Sequence, residues 1–245
     1  MDDTDAVEIP LPTGRMTAGI VRVGDTVRRP SKPSSPFVAQ LLAHLHDCGS
    51  EWSPRYLGQD GLGRDILAYV PGSTPGWLRF ADGQIQAAAT IVRQLHDLTR
   101  ESPLAPNSVV CHNDAAPNNF VFADGLPVAL IDFDLAAPGD PLEDLGYMAW
   151  AWCVSSKPER GPVAAQAHQV RILADAYGLS APDRARLPDW IVERQIRNVR
   201  FWSDRLADPG STPTSPTKIV EVIEWSGREA RFTAEHRAQF MAALA

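Results

Sequence analysis

The alternation of apolar and polar positions is clearest in the middle of the chain. Two β-type runs, residues 120–122 and 127–133, flank Ala123-Asp124-Gly125, where glycine can supply the positive φ of a tight turn, and together they predict a β-hairpin. With the fold-back centred near Gly125, Asn119 lies opposite about residue 131, within a register error of about one or two residues, and so beside Asp132. Towards the N-terminus, residues 7–11, 20–23 and 26–29 read as strands; Gly24-Asp25 joins the last two as a hairpin, and residues 12–19 form the earlier turn. Residues 37–48 carry Phe37, Leu41, Leu42 and Leu45 on one helical face, with Gly49 as the stop. An apolar strand over residues 66–70 ends at Pro71-Gly72, and residues 84–98 repeat apolar side chains at helical spacing. Asp140-Pro141-Leu142-Glu143 combines an N-cap, a proline at the first helical position and a capping-box glutamate, so a helix starts there. Residues 163–177, 190–202 and 233–244 read as further helices, and residues 207–218 as a Pro/Ser/Thr-rich connection. There is no internal repeat.

At 245 residues and 44% hydrophobic, the chain can bury a substantial core as one domain or as two lobes of one unit. A net charge of −7 and a pI near 5.3 argue against nucleic acid as a partner, because phosphate-backbone binding needs a clustered basic surface. No apolar run approaches membrane-spanning length, so no membrane partner is expected, and the acidic start Met1-Asp2-Asp3-Thr4-Asp5 opposes a signal peptide. A cytoplasmic location is the expectation. Cys48, Cys111 and Cys153 are odd in number and widely spaced, which fits reduced thiols better than a disulfide framework. His44, His46 and Cys48 do not share one helical face and so make a poor metal set.

An amide and a carboxylate converging at the mouth of an apolar hairpin, Asn119 and Asp132, suit a hard divalent cation that takes phosphate oxygens as its other ligands. Asp114 precedes Asn119 by five positions, after the apolar lead-in Val109-Val110-Cys111. His112-x-Asp114-x4-Asn119 has the spacing of a protein-kinase catalytic loop, and Asp132 stands where the metal-binding aspartate of the following hairpin falls. The block CHNDAAPNN…LIDFDLAAPGDPLEDLG resembles the core of the aminoglycoside phosphotransferase and choline kinase-like family, small-molecule kinases with a protein-kinase-like fold.

That resemblance implies an α+β, bilobal protein-kinase-like architecture. A small β-rich N-terminal lobe (residues 1–72, hinge near 68–72) would bind the nucleotide, and a larger, mostly helical lobe (residues 73–245) would carry catalysis and the acceptor. It implies ATP or GTP as phosphate donor, Mg2+ held by Asn119 and Asp132, and Asp114 as the carboxylate that orients the acceptor hydroxyl and takes its proton. Backbone at the hinge, Ala68 and Val70, would receive the base, residues 12–19 would cover the phosphates, and Asp144 would brace the catalytic loop. Asp134 joins the site by proximity alone, and His96 reads as a packing or capping residue. The family's third-strand lysine is absent; Arg28 takes its place here, since Val27-Arg28 keeps the apolar-then-cation order, and Gln40 is the nearest polar candidate for the missing helical glutamate. Trp190, Trp202 and Trp225 can line an acceptor cleft or fill core. The partners implied are a nucleoside triphosphate and a small hydroxylated substrate. An aminoglycoside-like antibiotic or amino alcohol is favoured over a neutral metabolite, because acidic residues of the second lobe suit a cation although arginines stand among them. Two other classes stay open: a nucleotide-binding pseudokinase, given the altered cation, and a hydrolase using paired carboxylates.

Overall fold

The computed structural model describes residues 7–11, 19–76, 79–208, 210, 212 and 214–245. The expected phosphate-covering turn at 12–19 therefore lies, except for Gly19, outside the described residues.

Five antiparallel strands form the first sheet in the order β1-β2-β3-β5-β4: β1 (Ile9–Pro10), β2 (Val21–Val23), β3 (Thr26–Pro30), β4 (Tyr56–Gln59) and β5 (Arg64–Ala68). Strand β4 escapes the sequence pattern because Gly58 interrupts it, and the pairing with β5 shifts register there. Helix α1 (Ser35–Asp47) buries Val38, Leu41, Leu42 and Leu45 as one stripe.

From Tyr69 to Pro71 the chain passes into the second region. Gly72 has φ +140, and a Cβ there would lie 2.5 Å from the Phe122 carbonyl oxygen, so only glycine admits the paired bonds between Ser73 and Phe122. Helix α2 (Asp82–Thr99) is followed by β6 (Val109–Cys111), then by the hairpin β7 (Phe120–Ala123) and β8 (Leu126–Leu130), then by β9 (Ala137–Gly139), which pairs back onto β6. The hairpin turn is Asp124-Gly125, both at positive φ, as a two-residue turn matching strand twist requires. Strand β8 stops at Leu130, three residues short of the apolar run, because Asp132 adopts a left-handed conformation and Phe133–Leu135 closes into a 3-10 turn.

Helix α3 (Pro141–Met148) begins as its capping box predicts, with Asp140 accepting from the Leu142 N–H, and runs into a π-helical turn at Ala149–Cys153. Among the described residues, four α-helices follow: α4 (Val163–Tyr177), α5 (Ala181–Ala207), α6 (Pro216–Glu235) and α7 (Arg237–Leu244). Helix α5 continues through Pro188 and is twice the length its apolar stripe suggested, and the final helical stretch is two helices broken at His236. Their cores join that of α2 and the hairpin, with Trp152, Phe120, Phe133 and Leu145 fully buried. Trp202 is buried against Ile219 and Val222, a core position and not a cleft wall.

Candidate active site

The β6–β9 ribbon delivers the chain into the loop that carries His112, Asn113 and Asp114. His112 is fully buried; its Nε2 lies 3.0 Å from the Ile131 carbonyl, and its Nδ1 accepts the Asp114 N–H at 3.2 Å. The partners fix the neutral tautomer with the proton on Nε2, and burial pushes the imidazole below its ordinary pKa. Asn113 sits at φ 65, a conformation held from two sides. Asp144 accepts the N–H groups of His112 and Asn113, both at 2.6 Å, and the buried Arg194 of α5 donates to the Asn113 carbonyl at 2.7 Å. Burial opposes the charge on Asp144, but hydrogen bonds from His96 and the loop outweigh it and hold the carboxyl below its usual range. His96, fully buried, bridges Asp144 (3.1 Å) and the Tyr177 hydroxyl (2.8 Å), so it supports the loop as well as packing.

At the end of this loop Asp114 is two-sided. Its Oδ1 accepts from the Tyr147 hydroxyl at 2.7 Å, and its Oδ2 accepts from Asn119 Nδ2 at 2.8 Å. Burial raises its pKa; the Tyr147 bond works the other way, and nearby Asp132 adds to the rise. Asn119 closes a 3-10 turn at Pro117–Asn119, and its carbonyl accepts the Ile131 N–H at 2.8 Å, which places it beside Asp132 across the hairpin as the register predicted. The Asp132 side chain is about half exposed, but protein packed around it still withholds part of its solvent, and this, then the charge of Asp134, pushes its carboxyl up.

The first lobe presents a cation to these carboxylates, but not the one expected. Successive strand residues face opposite sides of a sheet, so only one of Arg28 and Arg29 can point into the cleft. Arg28 turns away: its Nη1 donates to Thr26 Oγ1 at 2.7 Å and its Nε lies 3.8 Å from Asp60. Arg29 reaches across instead, with Nη1 2.6 Å from Asp134 Oδ1 and 3.6 Å from Asp132 Oδ1, and Lys32 Nζ lies 2.6 Å from the other oxygen of Asp134. The expectation placed the phosphate cation at Arg28; the side chain that approaches the carboxylates is that of its neighbour, Arg29. Gln40 is exposed and does not anchor it. Asp65, opposite Arg29 in the β3–β5 register, lies 3.8 Å from its Nε. Burial opposes ionisation of Asp65, yet bonds from Ser35, Ser31 and Gln59 together with the charge of Arg29 bring its pKa down.

At the hinge the Ala68 N–H is already donated to the Arg55 carbonyl and that of Tyr69 to Asp25, both at 2.9 Å; among the described residues none takes up the Val70 N–H. Of the two hinge residues expected to receive the base, Val70 therefore offers an N–H, whereas Ala68 could contribute only its carbonyl.

Among the described residues, the carboxylate end of the cleft offers hard oxygens, the Asp132 carboxylate and Asn119 Oδ1, which now accepts from the Asn118 amide at 3.0 Å, with the Arg29 guanidinium already drawn towards Asp132. That donor set fits Mg2+. A second acidic group, His96, Cys111 and Asp144, is fully buried, but the Asp144 oxygens are taken up by donors and burial keeps the Cys111 thiol protonated, so it does not fit a metal.

Neither Arg194 nor Tyr147 left a usable sequence signal: each occupies a helical position whose periodicity says only which face it shares.

Comparison with known proteins follows the same block. The APH phosphotransferase enzyme family model matches residues 30–190. A trifolitoxin immunity protein of Rhizobium leguminosarum bv. trifolii is 31% identical over 260 residues, covering 95% of this chain and 97% of its own. A homoserine kinase of Caulobacter sp. (strain K31) is 36% identical over 201 residues, 78% of this chain but 57% of that kinase. In structure, a choline/ethanolamine kinase family protein from Mesorhizobium loti superposes with a TM-score of 0.64 at 18% identity, over 96% of this chain and 92% of that one. The chain has an α+β, two-lobed protein-kinase-like fold and belongs to the APH phosphotransferase enzyme family of small-molecule kinases.

Proposed function

We propose that this chain transfers the terminal phosphate of ATP or GTP to a hydroxyl group of a small molecule. The observation that carries this reading is the convergence of Asp114, Asn119 and Asp132 at one end of the hairpin, faced by Arg29 from the other lobe.

In this reading Asp114 accepts a hydrogen bond from the acceptor hydroxyl and takes its proton as the oxygen attacks the γ-phosphorus. The bond from that phosphorus to the bridging oxygen breaks, and the electron pair leaves on the nucleoside diphosphate. Asn119 and Asp132 would hold magnesium, which when bound neutralises charge on the phosphate oxygens. Arg29 steadies the phosphates; Lys32 stays on Asp134 and leaves the guanidinium able to turn to them. The Val70 N–H receives the base. Residues 1–72 form the nucleotide lobe in this scheme and 73–245 the catalytic one. Because Arg29 and Asp65 restore an anchored cation, the scheme favours turnover over a pseudokinase.

The acceptor is read as a cationic or polyhydroxylated molecule, an aminoglycoside-like antibiotic or an amino alcohol, in preference to a neutral metabolite. The match to homoserine kinase supports an amino-bearing alcohol. The end-to-end match to an immunity protein favours a second reading, in which the phosphorylated hydroxyl belongs to a toxin and the reaction disarms it.

The test is ADP or GDP formation with magnesium across aminoglycosides, choline, homoserine, neutral sugars and trifolitoxin at two salt concentrations. Turnover on a cationic acceptor with a salt-dependent KM is expected, together with a loss of about 10²-fold or more for Asp114→Ala while nucleotide still binds. Turnover confined to neutral acceptors would remove the cationic reading, and full activity in Asp114→Ala would remove the mechanism.

A further inference from the structure

A π-helical turn follows α3 and packs next to the catalytic loop. It spans Ala149–Cys153 and is closed by the Val154 N–H donating to the Ala149 carbonyl at 2.9 Å. In a continuous α-helix, residues 147 and 152 would point about 140° apart, since five residues advance the helix by about 500°. A turn bonded five residues apart brings such positions towards one side. Both do reach the same loop: the Tyr147 hydroxyl donates to Asp114 Oδ1 at 2.7 Å, and Trp152 Nε1 donates to the Ala115 carbonyl at 3.0 Å. The Tyr147 ring is itself fixed, with the buried Arg194 guanidinium 5.1 Å from its centroid and Trp150 at 5.9 Å edge-on, and Trp150 stacks in turn on Trp225 of α6 at 5.0 Å.

We propose that Tyr147 is a positioning residue for Asp114, and that the π-turn sets it and Trp152 together as a clamp on the catalytic loop. The proposal rests on the reading of Asp114 as the group that takes the acceptor's proton. With Asn119 on Oδ2 and Tyr147 on Oδ1, the carboxylate is fixed at both oxygens. Each oxygen keeps a further lone pair, and the acceptor hydroxyl meets a carboxylate that cannot rotate away from the phosphate.

Tyr147→Phe keeps the ring and its packing and removes only the hydroxyl. Measured as ADP formation from MgATP with the acceptor panel, kcat is expected to fall about ten-fold, the scale of a hydrogen bond to a charged group, while the KM for ATP stays within about two-fold. Tyr147→4-aminophenylalanine, which returns an N–H donor at the same position, should recover most of the loss. In an Asp114→Ala background Tyr147→Phe should have no further effect, because the group it positions is gone. Wild-type kcat in Tyr147→Phe, no recovery in the amino variant, or a multiplicative loss in the Asp114→Ala background would overturn the positioning role and leave Asp114 in place. Wild-type turnover in Asp114→Ala, or no ADP formation by the native chain with any acceptor, would overturn the reading beneath it.

Discussion

Exchanging each of the two adjacent arginines of β3 in turn tests the proposal that Arg29, and not Arg28, meets the nucleotide. In Arg29→Met the buried guanidinium 2.6 Å from Asp134 and 3.6 Å from Asp132 is removed, and the phosphates lose a charge-assisted contact. Such a contact contributes about 1.5–3 kcal/mol, which at about 1.4 kcal/mol per decade is roughly ten- to hundred-fold in Kd. Stability falls less than for an isolated buried pair, because Asp134 keeps Lys32 and Asp65 keeps its donors from Ser31, Ser35 and Gln59. A loss of about 1–3 kcal/mol, against the 3–5 of a fully broken pair, corresponds to a Tm drop of about 3–10 °C for a chain of this size. Arg28→Met, whose partners among the described residues include Thr26 and Asp60, should leave Kd within about two-fold, and Arg29→Lys, which retains a cation, should keep most of the affinity. Isothermal titration with a non-hydrolysable ATP analogue and magnesium reads all three. Native affinity in Arg29→Met, or an equal loss in Arg28→Met, would refute the assignment.

Asp132→Asn should abolish the magnesium-dependent part of nucleotide stabilisation in a thermal-shift assay while the apo Tm stays close to native, because the residue is half exposed and, in the proposed scheme, acts as a ligand and not as core. Asp144 and Asp65 both have carboxyl pKa values below the ordinary one in the folded chain, so their stabilisation is complete above about pH 4 and drains away as pH falls through the folded values. Urea titrations should show stability falling below pH 4, with a shallower fall in Asp144→Asn and about 3 kcal/mol less stability at pH 7 from the disturbed buried network. Gly146→Ala would place a Cβ 2.6 Å from the Trp190 carbonyl oxygen, so α3 must part from α5; a loss of about 1–3 kcal/mol is expected in the same titration.

What could be read from the chain alone divides along physical lines. Capping chemistry and turn chemistry act locally, so the start of α3 and the Asp124-Gly125 hairpin were visible, and with the hairpin came the register that sets Asn119 opposite Ile131, next to Asp132. Strand β9 was not visible, since Ala137-Pro138-Gly139 has no β-type pattern and pairs only because β6 lies beside it. Arg29 was missed for a related reason: which of two neighbouring side chains faces the cleft depends on how the sheet sits on the second lobe. Asp65, Tyr147 and Arg194 come from elements distant in sequence from the groups they hold, and only the packed chain brings them there.

In kinases whose cation is held by a glutamate on a mobile helix, swinging that helix breaks the pair and turns the enzyme off. Here Asp65 stands one hydrogen-bonded strand away, directly opposite Arg29 in the sheet and 3.8 Å from its Nε, so the sheet itself keeps the two residues facing each other. Helix α1 contributes only the Ser35 hydroxyl to Asp65, so its displacement would cost one donor and leave the ion pair in place. The switch that regulates signalling kinases has no purchase on this arrangement. Output would then follow the supply of nucleotide and acceptor.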